Sequence, residues 1–242
     1  MNSNNGQFNI SRRNSLKLVA GAIGTGILAV GAGTELAAPE PVIAETPLTP
    51  DAALQLLIDG NQRFVQARRE KPNQTWTRIA EVAPSQKPFA AILGCADSRV
   101  PVEIIFDRGF GDIFVDRVAG NVATPEEIGS LEFGTLILGA KVLMVLAHER
   151  CGAVKAAITG GTLPGDIGSL TAAIQPAVDS TINQPGDRVA NAVKANARLQ
   201  ANRLKASPVI NQLIQEGKLK IVPAYYDLDT GAVEIVPMTG RS

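Results

Sequence analysis

Apolar positions follow two patterns along this chain, one with the period of a helix and one of short unbroken runs. From Asp51 to Glu70 they recur at Ala53, Leu54, Leu56, Leu57, Phe64 and Val65, which puts them on one helical face. Thr49 is a suitable N-cap for that helix, and Pro50 suits its first position. Pro72–Lys87 is mostly polar, carries Pro72, Asn73 and Pro84, and reads as a loop. Phe89–Leu93 is a short apolar run that stops at Gly94-Cys95 and reads as a buried strand. Asp112–Val118 is a second strand candidate, broken at Gly120-Asn121. Pro125-Glu126-Glu127 opens a helix running through Leu138, with acidic residues where the helix dipole favours them. Lys141–Ala147 is the cleanest strand, apolar throughout as in a strand buried on both faces, and it ends at His148. A short helix follows over Ala153–Thr159. The Ala-rich stretch Ile167–Ala206 predicts two helices broken near Pro185-Gly186. Leu219–Tyr226 and Ala232–Val236 close the chain as strands joined through Asp229-Thr230-Gly231.

Strands alternating with helices predict an α/β fold, a mostly parallel β-sheet flanked by helices. A chain of 242 residues holds one such domain plus a leader. Residues 1–45 read as that leader and its linker. Ser11-Arg12-Arg13-Asn14-Ser15-Leu16-Lys17 precedes an apolar, Gly- and Ala-rich run of 16 residues, Leu18–Gly33. That is short for a membrane span, which needs roughly 20 residues. Small residues at Val42 and Ala44 precede Glu45, so the segment reads as an export signal. The paired arginines resemble a twin-arginine signal, although Ser15 stands where that signal favours Phe. The expected location is therefore outside the cytoplasm, in a periplasm or lumen. An uncleaved leader would instead anchor the protein to the outer face of a membrane.

Charge narrows the partners. Lys plus Arg and Asp plus Glu are both 23, and this balance lacks the basic excess of a nucleic-acid binder, leaving a small or neutral ligand. The chain's two cysteines, Cys95 and Cys151, and its single histidine, His148, fall at two like-placed strand ends. In open α/β sheets ligands bind at that edge. Adjacent parallel strands ending at Cys95 and His148 would bring these side chains together, and Cys151 could turn back to the same point. Two thiolates, an imidazole and an open fourth position form a catalytic zinc set, with one Zn2+ per chain. The bland alternatives are ordinary buried thiols or a disulfide. Asp97 and Arg99 lie beside Cys95. The carboxylate either takes the fourth zinc position or pairs with Arg99 and leaves that position to water; the plain alternative is a structural salt bridge in a polar loop. Export in a folded state would let zinc enter in the reducing cytoplasm and protect both thiolates afterwards.

Cys95-Ala96-Asp97-Ser98-Arg99-Val100-Pro101 and His148-Glu149-Arg150-Cys151-Gly152-Ala153-Val154 together resemble the β-class carbonic anhydrases. Ala119-Gly120-Asn121 and Gly129-Ser130-Leu131-Glu132-Phe133 match intervening blocks of that family. The Asp51–Glu70 helix, with Gly60-Asn61-Gln62-Arg63-Phe64, matches its N-terminal helical arm. The resemblance spans roughly residues 46–237, and the domain is set at 46–242. It implies reversible hydration of CO2 to bicarbonate, with zinc on Cys95, His148 and Cys151. Asp97 and Arg99 would be the dyad orienting zinc-bound hydroxide, with Asp97 the fourth ligand in a closed form. The Gly152 N–H would hold a substrate oxygen. Gln86 falls on a substrate-side glutamine of plant-type members and Phe114 on their pocket phenylalanine, while Phe133 stands where they have tyrosine. Other members bind a regulatory bicarbonate through a tryptophan three residues before the first Cys and a nearby arginine. Here Ile92 stands in the tryptophan position, although Arg117 is present, which favours the open form. The resemblance also implies homodimers or homotetramers, with the arm over the partner. The same motifs would serve a relative that hydrolyses CS2 or COS, or a bicarbonate-binding subunit of a larger complex.

Overall fold

A computed structural model of the chain describes residues 48–238. The leader expected over 1–45 lies outside the described residues. Five strands form one sheet in the order β2-β1-β3-β4-β5: β1 Ala90–Gly94, β2 Ile113–Arg117, β3 Val142–His148, β4 Lys220–Tyr226 and β5 Val233–Ile235. The first four are parallel, and β5 returns antiparallel to β4. Both central strands, β1 and β3, are buried along their whole length.

Alternation along β1 explains how the helices sort. Ala90 and Ile92 pack with Ala53, Leu57 and Met144, on the face covered by α1 (Pro50–Val65). Ala91 and Leu93 point the other way, into a cluster with Leu131, Leu143, Ala201, Leu204 and Ile210. Leu143 is a neighbour in β3, and the others come from α4 (Pro125–Glu132), α7 (Arg188–Lys205) and α8 (Pro208–Gln215). Cys95 and Cys151 join a third cluster with Ala147, Ile174, Val193 and Ala197, under α5 (Gly152–Thr159), α6 (Ile167–Asp179) and α7.

The N-terminal helix follows from its residues. Thr49 caps it through the Ala52 N–H, and Pro50 fills its first turn. Asn61, buried within it, donates from Nδ2 to the carbonyls of Ile105 and Gly231 and accepts from the Val233 N–H. Gly60 lies so close to the Phe106 carbonyl that a methyl group at position 60 would overlap it. The Gly-Asn-Gln-Arg-Phe block is therefore a docking edge.

Five helical elements differ from the sequence reading. The first helix ends at Val65 rather than Glu70, because Ala67 turns to φ 55° and the chain bends to bring the Glu70 and Lys71 N–H groups onto Asp107. The loop expected over Pro72–Lys87 contains α2 (Trp76–Val82), capped by Thr75 and with no buried residue, so no apolar period announces it. The helix expected through Leu138 changes at Phe133–Ile137 to a wider π turn. Two more helices were unread: α3 (Val102–Ile105), a single turn, and α8, capped by Ser207 with Pro208 in its first turn. Among the described residues no helix is long and apolar enough to cross a membrane.

Candidate metal centre

Parallel pairing sets Gly94 opposite Leu146, so Cys95 and His148 leave the same edge of the sheet. Cys151 follows at the N-cap of α5. The ligand atoms of Cys95, His148 and Cys151 lie within 4.8 Å of one another, and all three residues are buried. Both cysteines are free thiols.

Three observations fit this trio to a metal. His148 Nδ1 sits 2.9 Å from the Glu149 carbonyl, which fixes that nitrogen as the N–H donor and leaves Nε2 with a lone pair. That Nε2 is buried without a hydrogen-bond partner, a costly state unless something electrophilic meets it. The two cysteine side chains lie close enough to shift each other in opposite directions. Hydrogen bonding from Cys151, helped by the backbone at Gly120 and Asp97, outweighs burial and lowers Cys95. Cys151 is pushed up by its hydrogen bond to Cys95, by burial and by the Cys95 charge. Two converging cysteine sulfurs beside an imidazole lone pair suit a soft divalent ion.

Asp97 is the neighbour on the open side, with Oδ2 3.7 Å from His148 Nε2. Arg99 engages both its oxygens, Nε to Oδ1 at 2.9 Å and the terminal nitrogen to Oδ2 at 2.7 Å, and the Arg99 N–H adds a bond to Oδ1 at 2.9 Å. The guanidinium hydrogen bonds hold Asp97 well below the usual carboxylate range, so it is an acceptor at working pH. Arg117 clamps the same loop, donating to the carbonyls of Cys95 at 2.9 Å and Asp97 at 2.6 Å. It is thus occupied as a brace of the Cys95–Asp97 turn.

Gly152 is exposed at the first position of α5, and a side chain added there would meet nothing within 4 Å. Phe114 and Phe133 pair with each other, ring centroids 6.5 Å apart. Phe114 is level with Ala91, four positions short of Cys95 along β1, so within this chain the structure does not bring the phenylalanines to the trio. Gln86 is exposed and lies before Phe89, whose N–H already pairs with Asp112 at the far end of the ladder. It too stands away from the metal edge of its own chain. The sequence reading missed the support behind Cys95: the Gly120 N–H, 3.3 Å from Cys95 Sγ, and the buried amides Asn196 and Gln200. Two amides four apart on the apolar face of an Ala-rich helix were the available signal.

An α/β sheet with Cys, His and Cys at one edge, beside an Asp-Arg pair, defines a soft-metal enzyme centre. The sequence pattern described as carbonic anhydrase matches residues 90–233. Carbonic anhydrase 2 of Mycobacterium tuberculosis (strain H37Rv) is 40% identical over 189 residues, covering 75% of this chain and 90% of that protein. The carbonic anhydrase of Mycolicibacterium smegmatis is 35% identical over 195 residues, covering 77% and 93%. A structure of a Coccomyxa β-carbonic anhydrase in complex with acetazolamide superposes with a TM-score of 0.61 at 25% identity, covering 76% of this chain and 86% of that one. The chain belongs to the β-class carbonic anhydrase family. Membership makes it a zinc enzyme and implies CO2 hydration.

Proposed function

We propose that this chain hydrates CO2 reversibly to bicarbonate and a proton at a zinc held by Cys95, His148 and Cys151, with Asp97 and Arg99 directing the attack. One observation carries the reading: an orphaned, buried His148 Nε2 converges with two thiols within 4.8 Å, beside a carboxylate gripped on both oxygens by arginine. Zinc in such a set supplies a Lewis acid that makes water nucleophilic near pH 7. Asp97, being an anion, can only accept a hydrogen bond, and so orients a water proton away from the incoming carbon. Arg99 fixes that acceptor and is itself half exposed at the mouth. The first N–H groups of α5 lack partners within the helix, and Gly152 offers one to a substrate oxygen. Engagement of both Asp97 oxygens by Arg99 supports the open form over Asp97 as fourth ligand. With no second histidine in the chain, protons leave through carboxylates, water or buffer.

The working unit is a homodimer or homotetramer. Trp76 is 86% exposed on a helix with no buried residue, and Phe133 and Phe110 are about half exposed, large apolar side chains that a second copy would cover. A partner could then bring Gln86, Phe114 and Phe133 towards the substrate, which their own chain does not. The twin-arginine-like leader supports export to a periplasm or lumen, or anchorage on the outer membrane face. Residues 1–50 fused to a reporter that works only when exported folded should direct it out of the cytoplasm; retention inside would refute the location.

Stopped-flow CO2 hydration on zinc-loaded protein at neutral to mildly alkaline pH tests the activity. Catalysis is expected. Hydrolysis of COS or CS2 without CO2 hydration would reassign the substrate, and no turnover of any of the three would point to a bicarbonate-binding role.

A further inference from the structure

We infer that Asn196 is a positioning residue for the thiolate of Cys95, acting through the backbone of Gly120; the inference rests on the zinc reading above. Asn196 and Gln200 are fully buried on the face of α7 that carries Ala192, Val193, Ala197, Ala201 and Leu204. Buried amides are costly unless their polar atoms find partners. These find theirs in the loop behind Cys95. Asn196 Nδ2 donates to the Gly120 carbonyl at 2.8 Å, and its Oδ1 accepts from Gln200 Nε2 at 2.8 Å. Gln200 Oε1 accepts the Ala123 N–H at 3.0 Å. Helix α7 therefore grips residues 120–123 at both ends. From the other side of the same residue, the Gly120 N–H reaches Cys95 Sγ at 3.3 Å.

Gly120 has φ 75°, and a side chain there would run into Ile174 and Ala153, so bare backbone alone comes this near the sulfur. Apolar residues would fill the space occupied by the two amides equally well. What the amides add is direction: they fix the rotation of the loop and with it the aim of the Gly120 N–H. An N–H bonded to a metal thiolate draws charge from the sulfur and orients its lone pairs, so groups behind the ligands tune the metal they hold.

The test uses Asn196→Leu in the full chain, with Leu204→Ala as a core truncation of the same helix outside the network. Cobalt substituted for zinc gives a thiolate-to-metal charge-transfer band that reports on the cysteine sulfurs. In Asn196→Leu that band should move to lower energy, and zinc affinity against a chromophoric chelator should fall roughly 10- to 100-fold. Leu204→Ala should lose stability yet keep the wild-type band and affinity. A folded Asn196→Leu with wild-type band and affinity overturns the inference, as does Leu204→Ala shifting both equally. Should Asn196→Leu not fold, NMR of isotope-labelled wild type loaded with cadmium decides. Coupling between the Gly120 amide proton and cadmium through the Cys95 sulfur supports the inference, and its absence overturns it. Wild type that takes up cobalt without any thiolate band fails the zinc reading itself, and this inference with it.

Discussion

Arg99 binds both carboxylate oxygens of Asp97, and this fixes how that carboxylate faces the trio of Cys95, His148 and Cys151. A carboxylate held in that fork is an oriented acceptor. Released from it, the same group would be free to swing towards the metal, since Oδ2 is already only 3.7 Å from His148 Nε2. Asp97→Asn keeps the shape but puts an amide where an acceptor is needed. It should retain zinc by elemental analysis while turnover falls about 100-fold, in the range for losing a positioned acid-base group. Wild-type turnover in that variant would remove Asp97 from its assigned role. At this scale the sequence was most legible, because the only histidine and the only two cysteines sat at two strand ends. The amides of α7 left only a faint trace, Asn196 and Gln200 four apart on an apolar face, and nothing in the sequence said which loop they would grip.

At the scale of elements, the arm hangs on one buried carboxylate. Asp107 is fully buried, with Arg63 Nε at 2.7 Å on Oδ2 and the Glu70 and Lys71 N–H groups at 2.9 Å each. Burial alone would raise its pKa, but Arg63 and the two N–H groups more than offset this and leave it lowered. Removing one partner of such a buried pair costs about 3–5 kcal/mol, so Asp107→Ala should lose roughly that much in denaturant titration. The sign in acid follows from the lowered value. The stabilisation is fully present above the unfolded carboxylate value of about 3.9 and is lost as pH falls through the lower folded one. Below about pH 4 wild type should therefore approach the variant in stability; an unchanged gap between them would contradict this. The strands and long helices were legible because period and burial agree in them. Helices α2 and α3 were not, since α2 buries no residue and α3 is a single turn without a side-chain cap; α8 was missed although Ser207-Pro208 and the apolar positions Ile210 and Leu213 mark it.

On the scale of the whole molecule, the sheet gathers a metal edge while Gln86, Phe114 and Phe133 lie towards its other end. A single chain thus carries a reactive centre without the apolar wall expected for CO2. Light scattering should find a dimer or larger at working concentrations. Trp76→Asp together with Phe133→Asp should weaken that assembly and lower activity while zinc stays bound. A monomer that turns over at full rate would contradict an assembly-dependent pocket. Assembly could not be read from composition, because an exposed aromatic residue in a sequence looks like a buried one.

Zinc content and CO2 hydration, measured side by side on wild type and on Cys151→Ser, test the central claim most directly. Wild type should carry one zinc per chain on the trio of Cys95, His148 and Cys151 and hydrate CO2. The variant, left with Cys95 and His148 as protein ligands, should lose zinc and activity together. A Cys151→Ser protein that keeps its full zinc and the wild-type rate would contradict the account.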